Sequence, residues 1–138
     1  MASTLKKEYE NKVLKALFKN ETFTPATETW IALYTVAPTR TTAGTEAAYT
    51  GYKRIKNTAA NWTLTEGTET EAAFLKNAAE IKFPECTGGE SEIEAVGITT
   101  AETAGEQIAV GTTTEKKKIT TTNTPAYYAA GELILKLS

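Results

Sequence analysis

The sequence predicts an all-β protein: a single antiparallel β-sandwich, jelly-roll-like, of about eight strands, with one N-terminal amphipathic helix. Three observations carry that expectation. Apolar residues recur with period two in short runs bounded by Gly, Pro, Thr and Asn, at intervals of about 8–14 residues. Thr supplies 27 of the 138 residues, and its β-branched side chain suits a pleated, half-exposed surface. Only the first twenty residues repeat apolar positions at helical spacing, so no helices separate the strands as a parallel α/β sheet requires.

Residues 3–19 are the expected helix. Ser3 or Thr4 is its expected cap, because either side-chain oxygen can accept from an early backbone N–H. Leu5, Tyr9, Val13, Ala16 and Leu17 fall on one side, and Leu14 and Phe18 widen that stripe. Lys6, Lys7, Glu8, Glu10, Lys12, Lys15 and Lys19 fill the remainder. The helix ends at Asn20, ahead of Thr-rich sequence and Pro25. Beyond it the period changes. Trp30 to Val36 is apolar on both faces, as a central strand should be. Pro38 to Gly44 reads as a loop, followed by short strands at Tyr52–Lys56, Asn61–Glu66 and Ala79–Phe83. Glu69 to Leu75 reads as one extra helical turn. Strands at Ile93–Thr99, Glu106–Gly111, Lys116–Thr121 and Glu132–Leu137 complete the set, with Leu133, Leu135 and Leu137 facing one way in the last. The chain therefore divides into a helical arm, 1–20, and a sandwich domain, 21–138.

Composition removes most chemistry. There is no His and no Asp, so all 17 acidic residues are Glu, and there is one Cys. A Ser-His-Asp or Cys-His device cannot be assembled without His. The common zinc sites and the Asp-rich calcium loop lack their ligands as well. The expectation is no catalytic residue, no metal and no cofactor. Glu90, Glu92 and Glu94, or Glu69 and Glu71, are the candidates for a carboxylate pair of the glycosidase kind, and they read instead as an acidic, solvated loop. Net charge is −2, without the basic footprint that nucleic acid binding needs. The one dense basic run, Lys116-Lys117-Lys118, reads as an edge protected against strand pairing. Charges interrupt every apolar run, so neither a secretory signal nor a membrane span is expected, and the product is made in the cytosol.

Three further groups suggest interfaces. Tyr52 and Arg54 sit together in a short strand, where a guanidinium fork suits an ion pair with Glu. Tyr127 and Tyr128 form an aromatic pair suited to a core, a subunit contact or, with Trp62, a stacking surface. The apolar stripe of the helix must be buried on its own domain or on a partner.

Several blocks then occur in a recognisable order: Lys12 to Phe18 leading into Phe23-Thr24-Pro25, Trp30 to Thr35, Ala43-Gly44-Thr45-Glu46 with Gly51-Tyr52-Lys53-Arg54, Asn77 to Pro84, Val96-Gly97-Ile98, and Ala130 to Leu133. In this the chain resembles small tailed-bacteriophage virion proteins of the capsid decoration (cement) and tail-fibre-like family. Thr99 and Thr100 stand where the family often carries an acidic residue. The resemblance implies a non-catalytic sandwich located in the virion. Its first implied function is a cement protein that stabilises the assembled head by binding between capsomers of the major capsid protein. Its partners would be that protein and copies of itself, as dimer or trimer, with no nucleic acid and no membrane. The alternative is a tail-fibre or baseplate module binding a host receptor or glycan. Leu5, Tyr9, Lys12, Val13, Leu14, Leu17 and Phe18 are the expected lattice or subunit contacts, with Lys6, Lys7, Lys12, Lys15 and Lys19 facing acidic capsid; Tyr52, Arg54, Tyr127 and Tyr128 form a second candidate interface.

Overall fold

A computed structural model of the chain describes residues 2–123 and 125–136. Among these, the strands are β1 (Ala2–Leu5), β2 (Thr29–Val36), β3 (Thr45–Glu46), β4 (Ile55–Asn57), β5 (Trp62–Thr65), β6 (Phe74–Asn77), β7 (Ile81–Lys82), β8 (Ser91–Thr99), β9 (Gln107–Ile119), β10 (Tyr127–Tyr128) and β11 (Ile134–Lys136). One α-helix, α1 (Lys7–Phe18), follows β1. Every strand pairing is antiparallel.

The principal sheet runs β1-β9-β8-β2, with β3 and β4 sharing the far edge of β2. As the sequence predicts, β2 is central and buries both faces. Ile31 and Leu33 enter the main core, while Ala32 and Tyr34 point to the opposite side and pack with Ala95. Space for the Tyr34 ring comes from Gly97, where an added Cβ would lie 2.6 Å from Tyr34 Cε2. Two smaller sheets, β11-β6-β5 and β10-β7, supply the other side of the core. Ile81, Phe83, Ala126 and Leu133 pack there against Ile31, Leu33, Val96, Ile98 and Ala109, with Trp62, Tyr128 and Leu135 half-buried at the margin. The arrangement is sandwich-like, as expected, with more and shorter strands.

Four expectations are corrected. The predicted helix at 3–19 is a strand followed by a shorter helix: Ala2 to Leu5 pair with Thr112 to Ala109, and α1 starts at Lys7. Long-range pairing outweighs the local helical spacing here, and Thr4 and Leu5 are comfortable in a strand. Consequently neither Ser3 nor Thr4 caps the helix. Lys6 occupies the cap position without a side-chain bond, its carbonyl accepts from Tyr9 and Glu10, and Lys7 N–H reaches the Arg40 carbonyl.

The helical turn expected at 69–75 is absent. Thr68 Oγ1 accepts from the Thr70 and Glu71 N–H groups in a local turn, and β6 begins at Phe74. This is the competition that Thr hydroxyls offer to helix formation. The runs at 106–111 and 116–121 are one strand, β9, interrupted by a bulge: pairing steps from Ala95↔Thr112 to Ile93↔Lys117, so Thr113 to Lys116 arch outward. Finally, Tyr52 and Arg54 precede β4 rather than lying within it. The expected inward Leu137 lies outside the described residues, whereas Leu133 is buried and Leu135 packs on the core.

Candidate functional site

One side of α1 is clamped to the sandwich. Tyr9 is buried, stacks edge-on to Phe23 at 6.1 Å, and donates its hydroxyl hydrogen to Glu106 Oε2 at 2.8 Å. Lys12 reaches the same carboxylate at 3.3 Å and lies 4.4 Å from the Tyr9 ring centre. Burial, reinforced by Glu106, pushes the Tyr9 phenol up to about 12. The Tyr9 hydroxyl and then Lys12 hold Glu106 below the ordinary carboxylate value. At the start of the helix the Lys6 ammonium donates to the Thr39 carbonyl at 2.6 Å and to the Thr42 carbonyl, and its burial lowers its pKa. Arg40 pairs with Glu10 at 2.6 Å. Helix, 39–44 loop and 100–106 turn thus fix one another around an open cleft of about 640 Å³ whose walls include Tyr9, Arg40, Glu46, Arg54 and Glu106.

The other side of α1 is apolar and bare. Leu14, Leu17 and Phe18 are 55%, 69% and 78% exposed. Their i, i+3, i+4 spacing makes them neighbours on the helix surface. Val13 and Ala16 are half-buried between the two faces. The proposed contact residues therefore separate. Leu5 packs on the core from β1 and Tyr9 is buried beneath the helix, while Leu14, Leu17 and Phe18 face outward. The expected row of five outward lysines is corrected as well: Lys6 is buried on two carbonyls and Lys12 is drawn to Glu106, leaving Lys7, Lys15 and Lys19 exposed.

Tyr52 and Arg54 come together as a structural knot. Arg54 grips Glu46 through Nε and Nη2 at 2.8 and 2.9 Å, and its Nη1 donates to Thr99 Oγ1 and to the Ala101 and Ala104 carbonyls. Tyr52 donates to Glu46 at 2.6 Å and accepts from Leu33 N–H. Burial would raise the Glu46 pKa, but hydrogen bonds from Arg54 and Tyr52 and the guanidinium charge outweigh it and hold the carboxyl below 4.5. Burial, with Glu46 adding to it, raises Tyr52 far above the ordinary phenol value. The ion pair anticipated for Arg54 is present, inside the chain. Its role in anchoring the 99–104 turn had no sequence signal, because the turn carbonyls it binds belong to any residue type.

Tyr127 and Tyr128 lie elsewhere, on β10 opposite Lys82 and Ile81. Tyr127 is half-exposed; Tyr128 is packed on the core, and burial, with Glu132, lifts its phenol to about 12. Trp62 also packs on the core and donates its indole N–H to Thr29. Glu90, Glu92 and Glu94 form cross-strand ion pairs with Lys118 and Lys116, and Glu94 also accepts from Ala37 N–H. Glu90 precedes β8, but Glu92 and Glu94 lie on β8, inside the principal sheet, which corrects the expected acidic loop there.

A family model described as Podophage GP4 fiber I protein gp80 matches residues 4–136. The molecule is accordingly a structural protein of the bacteriophage virion. It belongs to the podophage fiber I protein gp80 family. No curated protein matches the chain. Among the described residues, no helix is long and apolar enough to cross a membrane.

Proposed function

We propose that this protein is a fibre subunit on the virion surface, docked to a neighbouring virion protein through the outer face of α1. The observation that carries the reading is the contiguous patch of Leu14, Leu17 and Phe18 on a helix whose other side is already held by Tyr9, Lys12 and Lys6. Leaving three large apolar side chains in water is unfavourable by about 25 cal/mol per Å², so such a patch marks a contact. Exposed Lys7, Lys15 and Lys19 on the same helix suit a partner with an apolar groove and an acidic rim. The fibre description of the family supports the fibre assignment.

The decoration reading uses the same face. A cement subunit would seat α1 at junctions between capsomers of the major capsid protein, with many weak contacts summing by avidity and stabilising the assembled shell by mass action. A glycan-stacking platform receives less support, because Trp62 and Tyr128 are packed on the core and Tyr127 alone is half-exposed.

The test is cryo-electron microscopy of virions carrying wild-type protein or the Leu17→Glu, Phe18→Glu double variant. The expected result is fibre density whose base contains α1, and loss of the variant from purified particles although it stays folded in solution. Density at every capsomer junction of the head would establish the decoration reading. Normal incorporation of the variant would overturn the role of α1 in both.

A further inference from the structure

The sheet β11-β6-β5 ends in an edge unlike the others. On β9, the stretch beyond β1 carries Lys116, Lys117 and Lys118. The β3 and β4 edge is short and flanked by Arg54 and Lys56. β1 lies alongside β11. These are ordinary ways of keeping an edge from pairing. β5 is short too, but residues 57–65 hold no charge and no proline, and among the described residues β5 pairs with β6 alone.

Its apolar row is also interrupted at that edge. Leu135, Leu75 and Leu64 stand side by side across β11, β6 and β5. Leu135 packs on the core and Leu75 is half-buried, but Leu64, on the same face as the core-packed Trp62, is 58% exposed. The Ala78 N–H bond to the Asn61 carbonyl sets the phase of the ladder, so Thr63 and Thr65 direct their backbone groups at β6. Leu64 N–H and C=O then point outward.

We propose that β5 is a self-association edge, pairing antiparallel with β5 of a second copy about a two-fold axis at Thr63. Thr63 then faces Thr63 of the second copy, and Leu64 faces the second copy's Trp62, with Leu64 N–H donating to the Trp62 carbonyl while the Trp62 N–H stays on the Ala59 carbonyl of its own chain. The leucine row continues onto that indole, and the two three-stranded sheets become one of six strands. This register brings no like charges together, whereas a pairing centred on Leu64 sets Trp62 against Glu66. The contact is isologous, as a two-fold interface must be. Pairing of four residues buries less than the roughly 1,200 Å² of a stable interface, so the dimer is weak in solution and strengthened where copies are held close together. The proposal uses no residue of α1 and stands apart from the attachment reading.

The experiment is light-scattering mass across a concentration series, with cross-linking of full-length variants. Wild type should rise from one copy of 14.9 kDa toward two, and Leu64→Lys should stay at one copy with an unchanged circular dichroism spectrum. Thr63→Cys should form a covalent dimer on mild oxidation. The two sulfur-bearing positions would face each other at a non-hydrogen-bonded site, where Cα atoms are about 4.5 Å apart and a disulfide fits. Cys86 is buried and does not compete. A one-copy mass for wild type at its highest soluble concentration would overturn the proposal. So would Leu64→Lys associating as well as wild type, or Thr63→Cys cross-linking no more than an exposed loop control, Thr70→Cys. Leu17→Glu should dimerise normally, which separates failure here from failure of attachment through α1.

Discussion

At the scale of single residues, the half-buried Glu46 and the buried Asn77 tie distant segments together. Glu46 is kept ionised by Arg54 and Tyr52, so its carboxyl titrates below 4.5 in the folded state. A carboxylate whose folded value is depressed stabilises fully above its unfolded value, and that contribution fades as pH falls through the folded one. Glu46→Gln should therefore cost about 1–3 kcal/mol near pH 7, below the value for a fully buried pair because Glu46 keeps 29% side-chain exposure. The difference from wild type should narrow as pH drops below about 4.5, as followed by urea unfolding. A gap that stays constant down to pH 3 would exclude this role. Asn77 is the second. Its amide donates to the Ala79 and Ala129 carbonyls, and its oxygen accepts from Leu133 N–H at a buried site. Asn77→Ala strands that N–H and the Ala79 carbonyl, while the Ala129 carbonyl keeps the Glu132 N–H, so a loss of about 1–3 kcal/mol is expected in the same assay. Neither residue was legible as structural from the sequence. A buried Asn or Glu has no periodicity, and what makes these two essential is the backbone that the fold brings to them.

At the scale of elements, strand β1 and helix α1 show where sequence pattern reaches and where it stops. The run Trp30 to Val36, apolar on both faces, and the alternation of Asn61 to Glu66 were readable, because burial on one or both faces of a sheet imposes these patterns on side chains. The apolar stripe of α1 was readable too. Its division into an inner face, Tyr9, and an outer one, Leu14, Leu17 and Phe18, was not, since spacing identifies neighbours on a helix and says nothing of which neighbours meet the core. β1 was mistaken for the first turn of the helix because its partner strand lies so far along the chain. Its position has a practical consequence for testing α1. Removing residues 1–20 strips β1 from β9 as well, so point substitutions are the sharper probe. Deleting residues 1–5 alone should lower the thermal midpoint and promote aggregation, by opening the β9 edge at Ala109 to Thr112. Unchanged midpoint and solubility would show that β1 contributes nothing to the sheet's stability.

At the scale of the molecule, the sandwich class was accessible because many short alternating segments leave few other architectures. Sheet order was not, since it depends on which edges meet, and the period of a strand does not name its partner. The bulge in β9 is one such case: read locally, it splits a strand in two, and only the pairing with β8 rejoins them.

The closing of β1 onto β9 also orders events in time. Ala2 pairs with Thr112, so β1 must wait for β9, far later in the chain, before the principal sheet is complete. Contacts this distant in sequence are slow to form. The clamp beneath α1 has the same dependence, because Glu106 must be present before Tyr9 and Lys12 can fasten to it. A chain arrested before residue 106 therefore carries the apolar residues of α1 without the platform that orients them. Pulse-labelled nascent chains should show Tyr9 protected only once that residue has emerged, and protection of shorter chains would contradict this order. Under the attachment proposed for α1, only subunits whose synthesis has passed the 100–106 turn present that face in its clamped orientation.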